Sequence, residues 1–350
     1  MKRTWLSWPL LLAILLFGIA HPSYAWSDDD PLASKMRSTI ERGLKFIQED
    51  AVKWRNEKTC STCHHGSMTM WVQLEARSRG FEISDAILQE NVKWAKERIL
   101  ERVDLPQDNR PGWSMVNTPA IYMALTAHAV PTQEVISADD LQRVGRHLLR
   151  HQEDNGAWMW SSAPPKNIPP PFFESDEVAT RLAWLALAPL ATSPADDTKT
   201  YRTSLSRAEA WLKTQPLAQT TQAAVLRLLM KLQSTAPPEE LRAAVDGLNA
   251  LQCSDGGWSQ LPNRPSDAYA TGQVLYALRL AEVAPDAGPI LKGVQFLICT
   301  QRDDGSWPMT RRTQTGEPPS QNMVPITYFG SAWAALGLMR SLPATTVTTP

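Results

Sequence analysis

The sequence predicts an all-α protein, an (α/α)6 toroid built from six helical hairpins. Three observations carry that expectation. A pattern of amphipathic helix, Gln, short acidic turn, Gly and Trp recurs along the chain. Between its copies, apolar residues fall at helical spacing. The helices also alternate in kind, one charged and the next rich in Ala, Gly, Thr and apolar residues, as an outer ring wrapped around an inner ring requires. Six hairpins can close into a ring, which buries the apolar faces that an open helical solenoid, the alternative arrangement, would expose at both ends.

The elements follow in order. Residues 1–25 have a basic start, an apolar run too short to span a membrane comfortably and Ser-Tyr-Ala before the expected cleavage point near Ala25, which reads as a secretory signal peptide. The mature protein is therefore expected outside the cytoplasm, periplasmic or secreted, with at most peripheral membrane contact. The toroid is assigned to 26–342. Its twelve helices are expected at 36–54, 67–78, 85–103, 118–130, 139–152, 176–191, 204–215, 221–233, 237–252, 267–283, 287–301 and 326–342, with turns between, the first of them at 57–67. The tail 343–350 is expected to lack fixed structure. A net charge of −1, with cations and acids mixed throughout, leaves no basic cluster for nucleic acid.

The repeat is clearest at Gln152-x3-Gly156-x-Trp158 and Gln301-x3-Gly305-x-Trp307. Gln252, Gly256 and Trp258 match with an extra Gly257, and a fainter copy ends at Trp113. The unit is roughly 45 to 50 residues long, within the range of helical repeats. This motif resembles the QW repeat of squalene and oxidosqualene cyclases and their prenyltransferase relatives, in which the repeat residues are structural. The resemblance implies the toroid, with a central cavity for an apolar, isoprenoid-type small molecule. Inner-helix aromatics that would line it are Trp71, Tyr122, Trp184, Tyr269, Tyr276, Tyr328 and Trp333. The zinc ligands of the protein prenyltransferases have no counterpart, since no His follows His151.

Two local patterns could carry chemistry. Cys60-Ser61-Thr62-Cys63-His64 is a Cys-x-x-Cys-His sequence and resembles the attachment site of c-type cytochromes. That implies covalent haem c on Cys60 and Cys63 with iron on His64, and a redox partner. His65, Met68 and Met70 are nearby candidates for a further ligand, with Met115 and His128 more distant. The alternatives are a Cys60–Cys63 disulfide, or another metal held by the cysteines with His64 or His65. Cys253 and Cys299, at helix ends, are expected as buried free thiols.

The second pattern, Glu174-Ser175-Asp176-Glu177, resembles a departed form of the acid motif with which squalene-hopene cyclases protonate an alkene. It would make Glu174, Asp176 or Glu177 the catalytic acid. The later copy Pro265-Ser266-Asp267-Ala268 keeps the Ser-Asp pair without the flanking acids, so helix capping competes as an explanation. The sequence leaves open whether the toroid is catalytic, binds a ligand without turning it over, or is an interaction scaffold. It places Cys60 to His65, Glu174 to Glu177 and Asp267 at the starts of inner helices, on one shared rim.

Overall fold

The computed structural model describes residues 30–58, 61, 63–105, 113–130, 135–159, 174–192, 198–309 and 323–342. The expected signal sequence, Cys60, most of the two long proline-rich connections and the C-terminal residues 343–350 lie outside these residues. Among the described residues there are twelve α-helices, matching the expected set: α1 (Pro31–Glu57), α2 (Thr69–Ser78), α3 (Asp85–Val103), α4 (Trp113–Ala129), α5 (Ala138–Arg150), α6 (Asp176–Leu187), α7 (Thr198–Thr214), α8 (Thr221–Gln233), α9 (Pro238–Ala250), α10 (Ala268–Leu280), α11 (Gly288–Thr300) and α12 (Val324–Ser341).

The starts are fixed by capping side chains. The Ser84 hydroxyl accepts from Ile87 N–H, Ser175 from Val178, Thr220 from Ala223, and the Asp267 carboxylate from Ala270. Ser137 and Asp140 form a reciprocal capping box on α5. Each such cap satisfies a donor that the helix itself cannot.

Burial separates two rings. In α10 every residue from Ala268 to Leu278 is buried, and in α6 every residue from Glu177 to Leu187. The charged helix α9 buries only Leu248. The even-numbered helices form the inner ring, each packed on the next, and α12 packs back on both α1 and α2, which closes it. At α10 and α12 the backbones nearly touch, because a Cβ on Gly272 would lie 2.3 Å from the Trp333 carbonyl.

The repeat residues are the joints of this ring. The Gln152 amide donates to Gly156 O at 2.8 Å and to Ser204 O of the next outer helix at 2.9 Å. Gln252 does the same to Gly256 O and Pro289 O, and Gln301 to Gly305 O and Thr39 O. The last of these ties α11 to α1 and completes the circle. The glycines take φ of 95°, 87° and 85°, left-handed values that disfavour a side chain. They also lie against the next outer helix, so that a Cβ on Gly305 would sit 2.3 Å from Arg42 O. Each Trp indole donates back to the helix it follows, to Leu148 O, Leu248 O or Leu297 O. Its backbone N–H donates to a hydroxyl of the paired inner helix, Thr180, Thr271 or Ser331. The acidic turn residues accept backbone N–H bonds within the turn, as Asp255 does from Gly257 and Asp304 from Ser306.

Four local expectations are corrected. Residues Cys63–Met68 form a π-helical turn running directly into α2 rather than an irregular turn. Gly66 permits it, since a Cβ there would meet the Ser61 hydroxyl at 2.2 Å. In the faintest repeat, Trp113 opens α4 instead of closing α3, and α4 runs through Pro119. Ser266–Asp267 pair with Trp258–Ser259 as a two-residue antiparallel ribbon before α10. Cys299 is exposed, because the buried stripe of α11 runs through Ile290, Val294, Leu297 and Ile298 and leaves position 299 outside; Cys253 is half-buried.

Candidate functional site

The inner-helix starts meet at one rim, as the topology requires. Glu174 bonds the Thr220 hydroxyl, Glu177 accepts from Ala218 N–H at 2.7 Å, and Thr221 donates to Ser259 O at 2.6 Å. These contacts link the mouths of α6, α8 and α10. On the other side the π-turn reaches α4 through Ser67, which donates to Pro119 O at 2.6 Å, and the start of α2 reaches α12 through Thr69 and the Tyr328 hydroxyl at 2.6 Å.

Of the acidic candidates, Glu177 is paired in a way that opposes proton donation. Glu177 is buried with its Oε1 2.8 Å from both Arg181 Nε and Arg227 Nη1. Burial alone would raise its pKa, but Ala218 N–H, Arg181 and Arg227 together hold it below the ordinary carboxylate range. A group that must hand a proton to an alkene needs the opposite shift. Asp176 is the first residue of α6 after the Ser175 cap, and Glu174 is tied to Thr220. In α10 the aspartate itself is the cap, and Gln260 bonds its other oxygen. The expectation of an acid triad is therefore corrected for Glu177, whose arginine partners oppose that role.

The histidines are arranged differently. Both rings are buried. His65 is sandwiched between Trp54, centroids 4.4 Å apart, and Tyr328 at 3.7 Å. Its Nε2 lies 2.8 Å from Asp50 Oδ2, and its Nδ1 meets His64 Nδ1. Burial first, and then His65, lowers the His64 pKa well below its usual value; burial also lowers that of His65 against the opposing pull of Asp50. The lowered pKa of His64 favours the neutral imidazole, the form in which a histidine can ligate a metal. His65, walled by two aromatic rings and bonded at both nitrogens, supports its neighbour instead of offering a second ligand. The side chain of Cys63, like all of Cys60 and the Met115 side chain, lies outside the described residues. Met68 and Met70 are buried in the core, and His128 sits in the last turn of α4, bonded to Ala186 O and remote from the rim. Among the described residues no three His, Cys, Asp or Glu side chains cluster as a metal site.

Inside the ring, five of the seven expected aromatics converge. Trp71 meets Trp333 at 5.5 Å, Tyr276 at 5.7 Å and Tyr122 at 6.3 Å, and Phe329 bridges Tyr122 and Tyr269 at 5.6 and 5.4 Å. Phe329 was not among the expected residues, although it lies one helical turn before Trp333 on the same face. Two expectations are corrected. The Trp184 indole donates to Glu209 of α7, and Tyr328 belongs to the histidine cluster.

At the far end, buried Glu75 accepts from Arg79 Nε at 2.6 Å and Arg340 Nη2 at 2.8 Å, and Arg340 lies 5.1 Å from the Tyr276 ring centroid. Arg79 and Arg279 donate to Met339 O and Arg340 O, carbonyls at the C-terminal end of α12. Burial pushes the Tyr276 hydroxyl up to about 12, so it stays protonated. The lower ends of α2, α10 and α12 are thereby pinned together.

Comparison with solved structures settles the architecture. The type II terpene cyclase MstE from Scytonema, in a variant complexed with geranylgeranyl dihydroxybenzoate, superposes with a TM-score of 0.56 over 90% of this chain and 99% of its own, at 15% identity. The fold is a squalene-cyclase-like toroid. A possible member of the GH105 family from Klebsiella pneumoniae shares it, with a TM-score of 0.57 over 97% of this chain and 99% of its own, at 13% identity. In sequence, the toroid is 35% identical to the squalene–hopene cyclase of Bradyrhizobium diazoefficiens over 89 residues, 22% of this chain and 13% of that enzyme. The matched stretch is thus a small part of the relative's length. No protein-family model matches the chain. No described helix of the toroid is long and apolar enough to cross a membrane.

Proposed function

We propose that this is an exported toroid that receives an apolar, isoprenoid-type ligand among its inner aromatics and carries a c-type haem, or another metal, at the rim on His64. Cys60 and Cys63 would anchor the haem, which would supply one-electron chemistry. Alkene protonation is not part of the proposal. One contrast at the rim supports it: Glu177 is paired with two arginines, while burial lowers the pKa of His64 and so favours the neutral imidazole, the form that binds metal. The aromatic interior supports the apolar ligand, because ring faces from α2, α4, α10 and α12 meet there.

The test is a visible spectrum and intact mass of protein exported from a host competent in cytochrome c maturation. A Soret band with the added mass of one haem and a cleaved leader is the expected result. A colourless protein of unmodified mass would sink covalent haem, and metal analysis of the same sample would then decide the remaining metal reading. Solvent extraction and mass spectrometry of that sample test for the apolar ligand.

A further inference from the structure

Two polar atoms inside the ring have no hydrogen-bond partner among the described residues: Gln273 Oε1 of α10 and Trp333 Nε1 of α12. Both side chains are more than nine-tenths buried, with Gln273 3% and Trp333 6% exposed. A buried polar group left unpaired is costly, so each of these calls for a partner. We infer that the apolar ligand carries a hydroxyl, and that Gln273 and Trp333 bind it. The inference rests on the interior ligand proposed above and is independent of the haem.

Helix geometry aims both groups inward. On α10 the Thr271 hydroxyl accepts from Trp258 N–H and Leu275 lies against Gly293 of α11, so these two mark the outward face. At about 100° per residue, Gln273 falls on the opposite side of the helix. That side also carries Tyr269 and Tyr276, one turn before Gln273 and one turn after. Trp333 reaches the same place from α12, its ring 5.8 Å from Tyr276 and 5.5 Å from Trp71. Gly272, the residue before Gln273, packs directly on the Trp333 backbone, so the two side chains leave adjoining helices at one level. The Tyr276 hydroxyl is turned instead to the pinned end, where Arg340 Nη2 donates to it at 3.4 Å. The chemistry of the two atoms selects the ligand class. Gln273 Oε1 accepts and Trp333 Nε1 donates. A hydrocarbon answers neither, and a ketone or an ether answers only the indole. A hydroxyl answers both, since it donates one bond and accepts another. Set among aromatic rings, the pair fits an apolar alcohol of isoprenoid type better than a pure polyene.

The test is equilibrium dialysis of the full-length protein against farnesol, farnesyl methyl ether and the hydrocarbon farnesene. Wild type is expected to bind farnesol about tenfold more tightly than farnesene, with the ether between them. Gln273→Leu is expected to raise the farnesol Kd about tenfold and to leave farnesene unchanged. It should also raise the melting temperature of the ligand-free protein, because an unpaired buried acceptor is replaced by an apolar group of similar size. Trp333→Phe should weaken the alcohol and the ether more than the hydrocarbon. Equal binding of alcohol and hydrocarbon by the wild type overturns the hydroxyl while leaving the apolar ligand in place, and this comparison needs no variant to fold. An alcohol preference kept in Gln273→Leu, with a lowered melting temperature, overturns the role given to Gln273. Binding of none of the three overturns the apolar-ligand reading and this inference with it.

Discussion

At the scale of the residue, the ring is held by positions where only one side chain fits. Gly305 has a left-handed φ and no room for a Cβ against Arg42 O. Gly305→Ala is therefore expected to cost on the order of 1–3 kcal/mol in chemical denaturation, and more if α1 is displaced. Gly247, exposed in the middle of α9 with nothing within 4 Å of an added Cβ, is the matched control. Gly247→Ala should stabilise by about 0.5–1 kcal/mol, as alanine does in any helix interior. Equal effects at the two sites would show that neither the left-handed φ nor the contact to α1 constrains Gly305.

At the scale of the element, Glu177 holds the start of α6 against the segment leading into α8 through Arg227 and Ala218 N–H. Because its pKa is depressed in the folded protein, its contribution to stability is complete above the unfolded carboxylate value. That contribution is lost as pH falls through the lower folded value. Glu177→Gln should cost on the order of 3 kcal/mol at neutral pH, since it strands two arginines, and should flatten the acid limb of a stability–pH curve. An unchanged acid limb would contradict this assignment. The same ion pairs explain why the acid motif misleads at the sequence level. Arg181 lies one turn away and is visible beside Glu177, but Arg227 is fifty residues distant and nothing local announces it. The histidine cluster was half legible in the same way. Cys-x-x-Cys-His and His65 mark the spot, whereas Asp50, Trp54 and Tyr328 come from α1 and α12, which only the folded ring brings together.

At the scale of the whole molecule, the architecture was legible because one joint is repeated. Apolar spacing gave the helices, and Gln, Gly and Trp marked where each outer helix must turn and grip the next. The pinned lower end was not legible, since Glu75 and Arg340 are ordinary helix-surface residues by sequence and meet only across the ring. A closed ring should also behave as one cooperative unit. Amide exchange in the buried turns of α1 and α12 is expected to match that of α6, because the contact of α12 with α1 and α2 leaves no frayed end. Markedly faster exchange in α1 and α12 than in α6 would instead indicate an open stack.

The bond from Gln301 to Thr39 also orders events in time. The first of the twelve described helices is finished only by the last pair. Until α11 and α12 arrive, Ile40, Leu44 and Ile47 of α1 have no complete partner surface, and they present an adhesive stripe to other chains. A chain that crosses a membrane unfolded and folds afterwards avoids that interval, because both ends are then delivered before the ring must close. A stop codon removing only the final hairpin, α11 and α12, should accordingly leave no shortened but folded product, and its loss would be felt first at α1.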